Sequence, residues 1–182
     1  MNPSRHTIGL LFGGMMIPLV AHAEIYLNED QAVKAIFPQA QATGAGSFTR
    51  KKITLTDSEK KKIEDLSHEA VRNAELIVWE NHDHDLVFID QVLGKHEFIT
   101  YACGISHDGK VKAIEIMEYR ETYGQGVRDE KWRNQFVGKD SKSELKLKKD
   151  IVNLSGATLS SSHITAGVRR LLRTYETIRA RL

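Results

Sequence analysis

From Leu76 to Tyr119 the chain breaks into four short runs rich in branched and aromatic side chains: Leu76–Trp79, Leu86–Leu93, Glu97–Ile105 and Val111–Tyr119. Such runs suit pleated, half-buried strands, and in this order they read as a meander. Between the last two stands Asp108-Gly109, a pair that tolerates the positive φ angles of a tight hairpin turn. Helical patterns lie on both sides of the meander. The sequence therefore predicts an α+β domain with an antiparallel sheet flanked by helices, and not a doubly wound sheet.

Ahead of the meander, Asn28 with Glu29 and Asp30 marks a helix start, and Ala32, Val33, Ala35, Ile36 and Phe37 supply its apolar face before Pro38. Gln39 to Ser47 is Gln-, Ala- and Gly-rich without periodicity and reads as a connector. Phe48 to Leu55 reads as a strand. Thr56-Asp57-Ser58-Glu59 then opens a long helix with Ile63, Leu66, Ala70 and Ala74 on its face. After the meander, Asp129 to Phe136 reads as a short helix turning Val127, Trp132 and Phe136 inward. From Ile164 the residues Ile164, Val168, Leu171, Leu172, Tyr175, Ile178 and Leu182 follow helical spacing.

Of the 182 residues 41% are hydrophobic, enough for one compact domain and its core. Net charge is +2 with both signs interspersed, which gives no case for nucleic acid. Lys60, Lys61 and Lys62 are flanked by Glu59, Glu64 and Asp65 and read as a solvated helix face. Residues 1–23 have the form of a secretory signal: Arg5 and His6, an apolar run from Ile8 to Val20, and Ala21-His22-Ala23 before a cleavage point ahead of Glu24. The run is short for a membrane span and contains Gly13, Gly14 and Pro18, so cleavage is preferred over a retained anchor. The expected product is a soluble extracytoplasmic or periplasmic protein. Residues 24–80 are expected to form N-terminal helices and a connector packing on a domain that spans 81–182.

Cys103 is the sole cysteine, which excludes an internal disulfide and leaves no pattern for haem attachment or iron–sulfur ligation. It sits in an apolar strand-like run and reads as a small buried hydrophobe. Asn81-His82-Asp83-His84-Asp85 contains metal-ligand types, but a polar turn between strands accounts for them without a metal. Lys95-His96-Glu97 reads first as a charged cluster exposed at a turn.

Just before the last helix lies Asn153-Leu154-Ser155-Gly156-Ala157-Thr158-Leu159-Ser160-Ser161-Ser162. Ser155, Gly156 and Ala157 let a ligand approach the backbone closely. The helix start beyond them collects unpaired N–H groups and partial positive charge, so a phosphate beside Thr158 is favoured. The three serines add hydroxyl partners or caps.

Ser-Gly-Ala-Thr followed by Leu-Ser-Ser resembles the flavinylation motif of the FMN-binding domain family, which occurs in subunits of sodium-pumping NADH:quinone oxidoreductases, in Rnf-type complexes and in stand-alone extracytoplasmic flavoproteins. The resemblance implies FMN carried on Thr158 through a phosphoester, installed by a flavin transferase with FAD as donor, with Ser155, Gly156, Ala157 and Ser160 around it. The family usually places an aspartate shortly before the Ser-Gly pair; here Asn153 stands there, with Asp150 a further turn away. The resemblance extends to Glu121-Thr122-Tyr123-Gly124-Gln125-Gly126, then Trp132 and Phe136-Val137-Gly138. Family members carry Glu-Thr-Pro-Gly-Leu-Gly or variants at this place and line the flavin ring with it, which implies Glu121, Thr122 and Gly124 as flavin neighbours. Clusters similar to Lys95-His96-Glu97 also occur in the stand-alone members, which leaves a supporting role near the cofactor as the alternative to an exposed turn.

The implied role is an electron carrier and not an enzyme, since no nucleophile–base–orienter set is visible. Its expected partners are a flavin transferase and redox proteins, including a membrane-bound electron-transport complex. The alternatives are a sensory or interaction module of the same fold that holds FMN or another ligand non-covalently, and a partner-binding domain with a degenerate site.

Overall fold

The structure, a computed structural model, describes residues 24–38, 48–121 and 124–182. The expected signal segment, the Gln39–Ser47 connector, and Thr122 with Tyr123 lie outside the described residues.

The elements follow the order β1 (Glu24–Ile25), α1 (Glu29–Ile36), β2 (Thr49–Thr54), α2 (Asp57–Ser67), β3 (Glu75–Glu80), β4 (Leu86–Leu93), β5 (Phe98–Ile105), β6 (Val111–Tyr119), α3 (Glu130–Arg133) and α4 (Thr158–Ile178), with short 3-10 turns around α3 and after α4. The strands form one antiparallel six-stranded sheet in the order β1-β6-β5-β4-β3-β2. The fold is thus α+β, a single domain, with the meander as its centre. Residues 24–80 supply three of its strands as well as two helices.

Local chemistry explains the boundaries. Asn28 caps α1 and Thr56 caps α2, each in a reciprocal box with the residue three further on, Gln31 and Glu59. Caps of this kind are worth about 1 kcal/mol each. Helix α2 ends sooner than its apolar spacing predicts. His68 takes a left-handed conformation at φ 58° and the Glu64 carboxylate accepts the Val71 amide at 2.7 Å, so the chain turns away and Ala70 and Ala74 fall outside the helix. The Asp108-Gly109 hairpin forms as expected, with Gly109 at φ 83°. Asp129 caps α3, and Val127, Trp132 and Phe136 are all buried.

Alternation along the strands gives the sheet two apolar faces. One packs Val78, Phe88, Tyr101, Cys103, Ile114 and their neighbours under α2 and α4. The other carries Val87, Ala102 and Met117 against Ala32, Val33, Ile36 and Phe37 of α1. Helix α4 is fastened by a partly buried network in which Arg170 Nη2 and Tyr101 Oη both donate to Asp90 Oδ2 at 2.6 Å. The β6 edge is covered, since Gly138 and Arg133 donate to the carbonyls of Val111 and Ile114. Edge strand β2 instead exposes Arg50, Lys51 and Lys52, charges that disfavour strand-to-strand association.

Candidate functional site

Helix α4 begins at Thr158, six residues before the apolar stripe that signals it in the sequence. The reason is that Ser160 and Ser161 occupy core-facing positions of its first turn, 4% and 0% exposed. Ala157 is the N-cap residue and makes no side-chain cap, while the backbone bond that opens the helix runs from Ser161 N to Ala157 O at 2.9 Å. Among the described residues the leading amides of α4 meet no side-chain cap at its positive end.

The turn entering this helix is organised by its own side chains. Asn153 Nδ2 donates to Thr158 Oγ1 at 3.2 Å, and Asn153 Oδ1 accepts from Ser161 Oγ at 3.2 Å. Thr158 Oγ1 in turn donates to Leu154 O at 3.4 Å, a carbonyl that also accepts Ala157 N at 3.1 Å. Gly156 lies at φ +79°, and the space where its Cβ would stand is open. Asp150, the acid one turn earlier, does not take part. Its carboxylate accepts the amides of Leu145 and Lys146 at 3.1 and 2.9 Å and pairs with Lys139.

Opposite stands the hairpin turn between β4 and β5. Lys95, His96 and Glu121 face Gly156, Ala157, Thr158 and Leu159 across a groove of about 470 Å³, within the size range of small-molecule sites. Glu121 holds this turn: its Oε1 accepts the amides of His96 and Glu97 at 2.5 and 3.0 Å. Burial pushes the Glu121 carboxyl up, but the amides of His96, Glu97 and Lys95 outweigh it and hold the group below the ordinary glutamate range. His163, one turn into α4, bonds the Leu93 carbonyl and ties the two walls together.

The remaining predicted residues take distinct places. Gly124, at φ +93°, packs behind the groove, where a Cβ would meet Tyr119 Oη at 2.5 Å and Ala157 Cβ and Ser160 Oγ at 3.3 Å. Ser160 points away from the groove, with Oγ 3.3 Å from the buried Tyr119 hydroxyl. Ser155 is exposed on the turn. Thr122 lies outside the described residues. The structure thus brings Glu121 and Gly124 together with residues 156–160, and adds Lys95 and His96. In the sequence those two read as an exposed cluster, because what places them is Glu121, twenty-five residues beyond His96. In the 81–85 turn His84 Nδ1 lies 2.7 Å from Glu80, Asp85 engages Asn81 and the His107 amide, and His82 is exposed. Among the described residues no group of three or more metal-ligating side chains converges.

An uncapped helix start, a hydroxyl at its first residue and a lysine across an open groove are chemically suited to a phosphate-bearing ligand. Residues 94–173, which contain both walls of the groove, match the model of the FMN-binding domain family. The chain is also similar to one component of the Na(+)-translocating ferredoxin:NAD(+) oxidoreductase complex of Acetobacterium woodii, at 33% identity over 84 residues, 41% of this chain and 41% of that protein. The match therefore spans about two fifths of the relative's length.

Proposed function

We propose that this protein is an exported electron-transfer flavoprotein in which FMN is esterified through its phosphate to Thr158 Oγ1. The observation that carries the reading is the Thr158 hydroxyl itself: exposed, at the uncapped start of α4, and facing a groove lined by Lys95 and His96. The residues present fit the group. The leading amides of α4 and the Lys95 ammonium offer donors and positive charge to a phosphate, and the open space beside Gly156 admits it without displacing a side chain. When bound, FMN supplies one- and two-electron redox chemistry, and the chain sets its exposure and surroundings.

Attachment is the work of a flavin transferase with FAD as donor. The Thr158 Oγ1–phosphorus bond forms, the FAD pyrophosphate bond breaks, AMP leaves and the hydroxyl proton is lost. Within this chain, Asn153 Nδ2 already donates to that oxygen and fixes its direction. Loss of the Thr158 proton removes one bond to Leu154 O, which keeps its bond from Ala157 N. A covalent link suits an exported carrier, because a tether maintains the cofactor at high effective concentration where a dissociated one is lost by dilution. Export is supported by the signal-like pattern of residues 1–23. A role beside a membrane-bound electron-transport complex is supported by the name of the relative from Acetobacterium woodii.

The test is co-expression with a flavin transferase, followed by in-gel flavin fluorescence after denaturation and peptide mass mapping. Wild type and Thr158→Ser retain a hydroxyl and are expected to carry one FMN less one water; Thr158→Ala is expected to carry none while keeping its fold. Flavin that stays with Thr158→Ala through denaturation overturns the assigned acceptor, and flavin released from wild type overturns the covalent link.

A further inference from the structure

Between α3 and the Thr158 groove the chain makes a tight knuckle at residues 145–151. Asp150 accepts the Leu145 and Lys146 amides, Lys148 N donates to Ile151 O at 2.9 Å, and Leu147 and Ile151 form a β-bridge. Leu145 and Ile151 are buried under it, whereas Lys146, Lys148 and Lys149 extend from its outer side. Among the described residues none of these three ammonium groups meets a carboxylate. Asp150 is committed to the backbone and Lys139, Glu69 is paired with Arg169 at 2.6 Å, and Glu144 is exposed without an ion pair among the described residues.

Two features separate this cluster from an ordinary solvated turn. Lys148 adopts φ +64°, a left-handed conformation that favours glycine or asparagine, so a long cationic side chain is presented where the backbone disfavours it. The cluster also has exposed apolar side chains near it: Lys146 and Lys149 line a cavity with Ser162, Ala166 and Arg169 of α4, whose first turn carries Leu159, 47% exposed, and Val152, 66% exposed, follows the knuckle directly. Exposed apolar side chains beside lysines have the composition of a protein-docking patch.

We propose that Lys146, Lys148 and Lys149, together with Val152 and Leu159, form the docking surface for an acidic protein that exchanges electrons at the Thr158 groove. This rests on the reading of that groove as the flavin's seat. Complementary charge orients the partner and speeds its arrival, and the two exposed apolar side chains fix the contact beside the groove.

The test measures binding on the full chain carrying Thr158→Ala, so that it stands whether or not flavin attaches. The probe is oxidised flavodoxin, a small acidic electron carrier, titrated by NMR or calorimetry at low and at physiological salt. Saturable binding that weakens with salt and falls about tenfold or more in K146E/K148E/K149E is expected. Lys148→Gly is expected to weaken binding while matching or exceeding the parent in thermal stability; a lysine that only supports the turn gives the opposite. Absence of saturable flavodoxin binding, or equal binding by the triple variant, overturns the proposal. Lysine-dependent binding to phosphatidylglycerol vesicles in place of flavodoxin overturns it in favour of a lipid surface.

Discussion

The two walls of the groove are held by different means. The 153–158 turn is tied within itself, by Asn153 to Thr158 and Ser161 and by Leu154 to Ala157, all contacts within eight residues. The 94–97 turn closes on itself only through Gly94 N to Glu97 O at 2.7 Å and is placed from a distance, by Glu121 through the amides of His96 and Glu97 and by His163 to Leu93. The bonds that direct Thr158 are local in sequence. The other wall takes its place only when β5, β6 and α4 are assembled, so damage to the sheet's periphery reaches the groove through Lys95 and His96.

The largest effect should come from crowding the distant tether. A Cβ on Gly94 would stand 2.5 Å from Glu121 Oε1 and 3.0 Å from the Glu97 carbonyl, so Gly94→Val is expected to destabilise by about 3 kcal/mol. Glu121→Ala, which leaves the amides without their acceptor, should cost about 2 kcal/mol. If the contact with Glu121 is the cause, the two changes combine to less than their sum, which a double-mutant cycle by chemical denaturation measures. Simple addition would mean that Gly94 acts through the Glu97 backbone instead.

A smaller effect is expected on the other wall. Asn153→Ala removes two side-chain bonds on an exposed turn and should cost about 1 kcal/mol or less. Its signature is a slower rate of flavin attachment at unchanged final stoichiometry, read by mass spectrometry over time, since the hydroxyl stays but loses the group that directs it. An unchanged rate would leave Asn153 with a role in the turn alone.

The same division explains what can be read without coordinates. The caps at Asn28 and Thr56, the Asp108-Gly109 turn and the small-residue run before Thr158 depend on neighbours in sequence, and each is legible there. Apolar spacing places the start of α4 six residues late, because Ser160 and Ser161 fill core positions with hydroxyls that do not register as apolar periodicity. It carries the end of α2 too far, because Ala70 and Ala74 continue the spacing while His68 and Glu64 turn the backbone away. Lys95 and His96 read as a charged turn for the same reason that their wall is fragile: nothing within their own segment marks the contact with Glu121.

Acid should separate the two walls most finely. Glu121 has its carboxyl held below the ordinary range in the folded chain, so its contribution to stability is complete above the unfolded value of about 4.3 and is lost as pH falls through the folded value. Asn153 does not titrate, and its turn has no corresponding loss. Between about pH 6 and about pH 3.5, exchange of the His96 and Glu97 amides should therefore accelerate beyond the intrinsic trend, while that of Ala157 and Ser161 follows it. Glu121→Gln, which can still accept a hydrogen bond but carries no charge, should remove the pH-dependent part at His96 and Glu97. Equal acid sensitivity of both walls would mean that they open together with the whole domain, and that the separation between a self-tied and a distantly tied wall does not hold in solution.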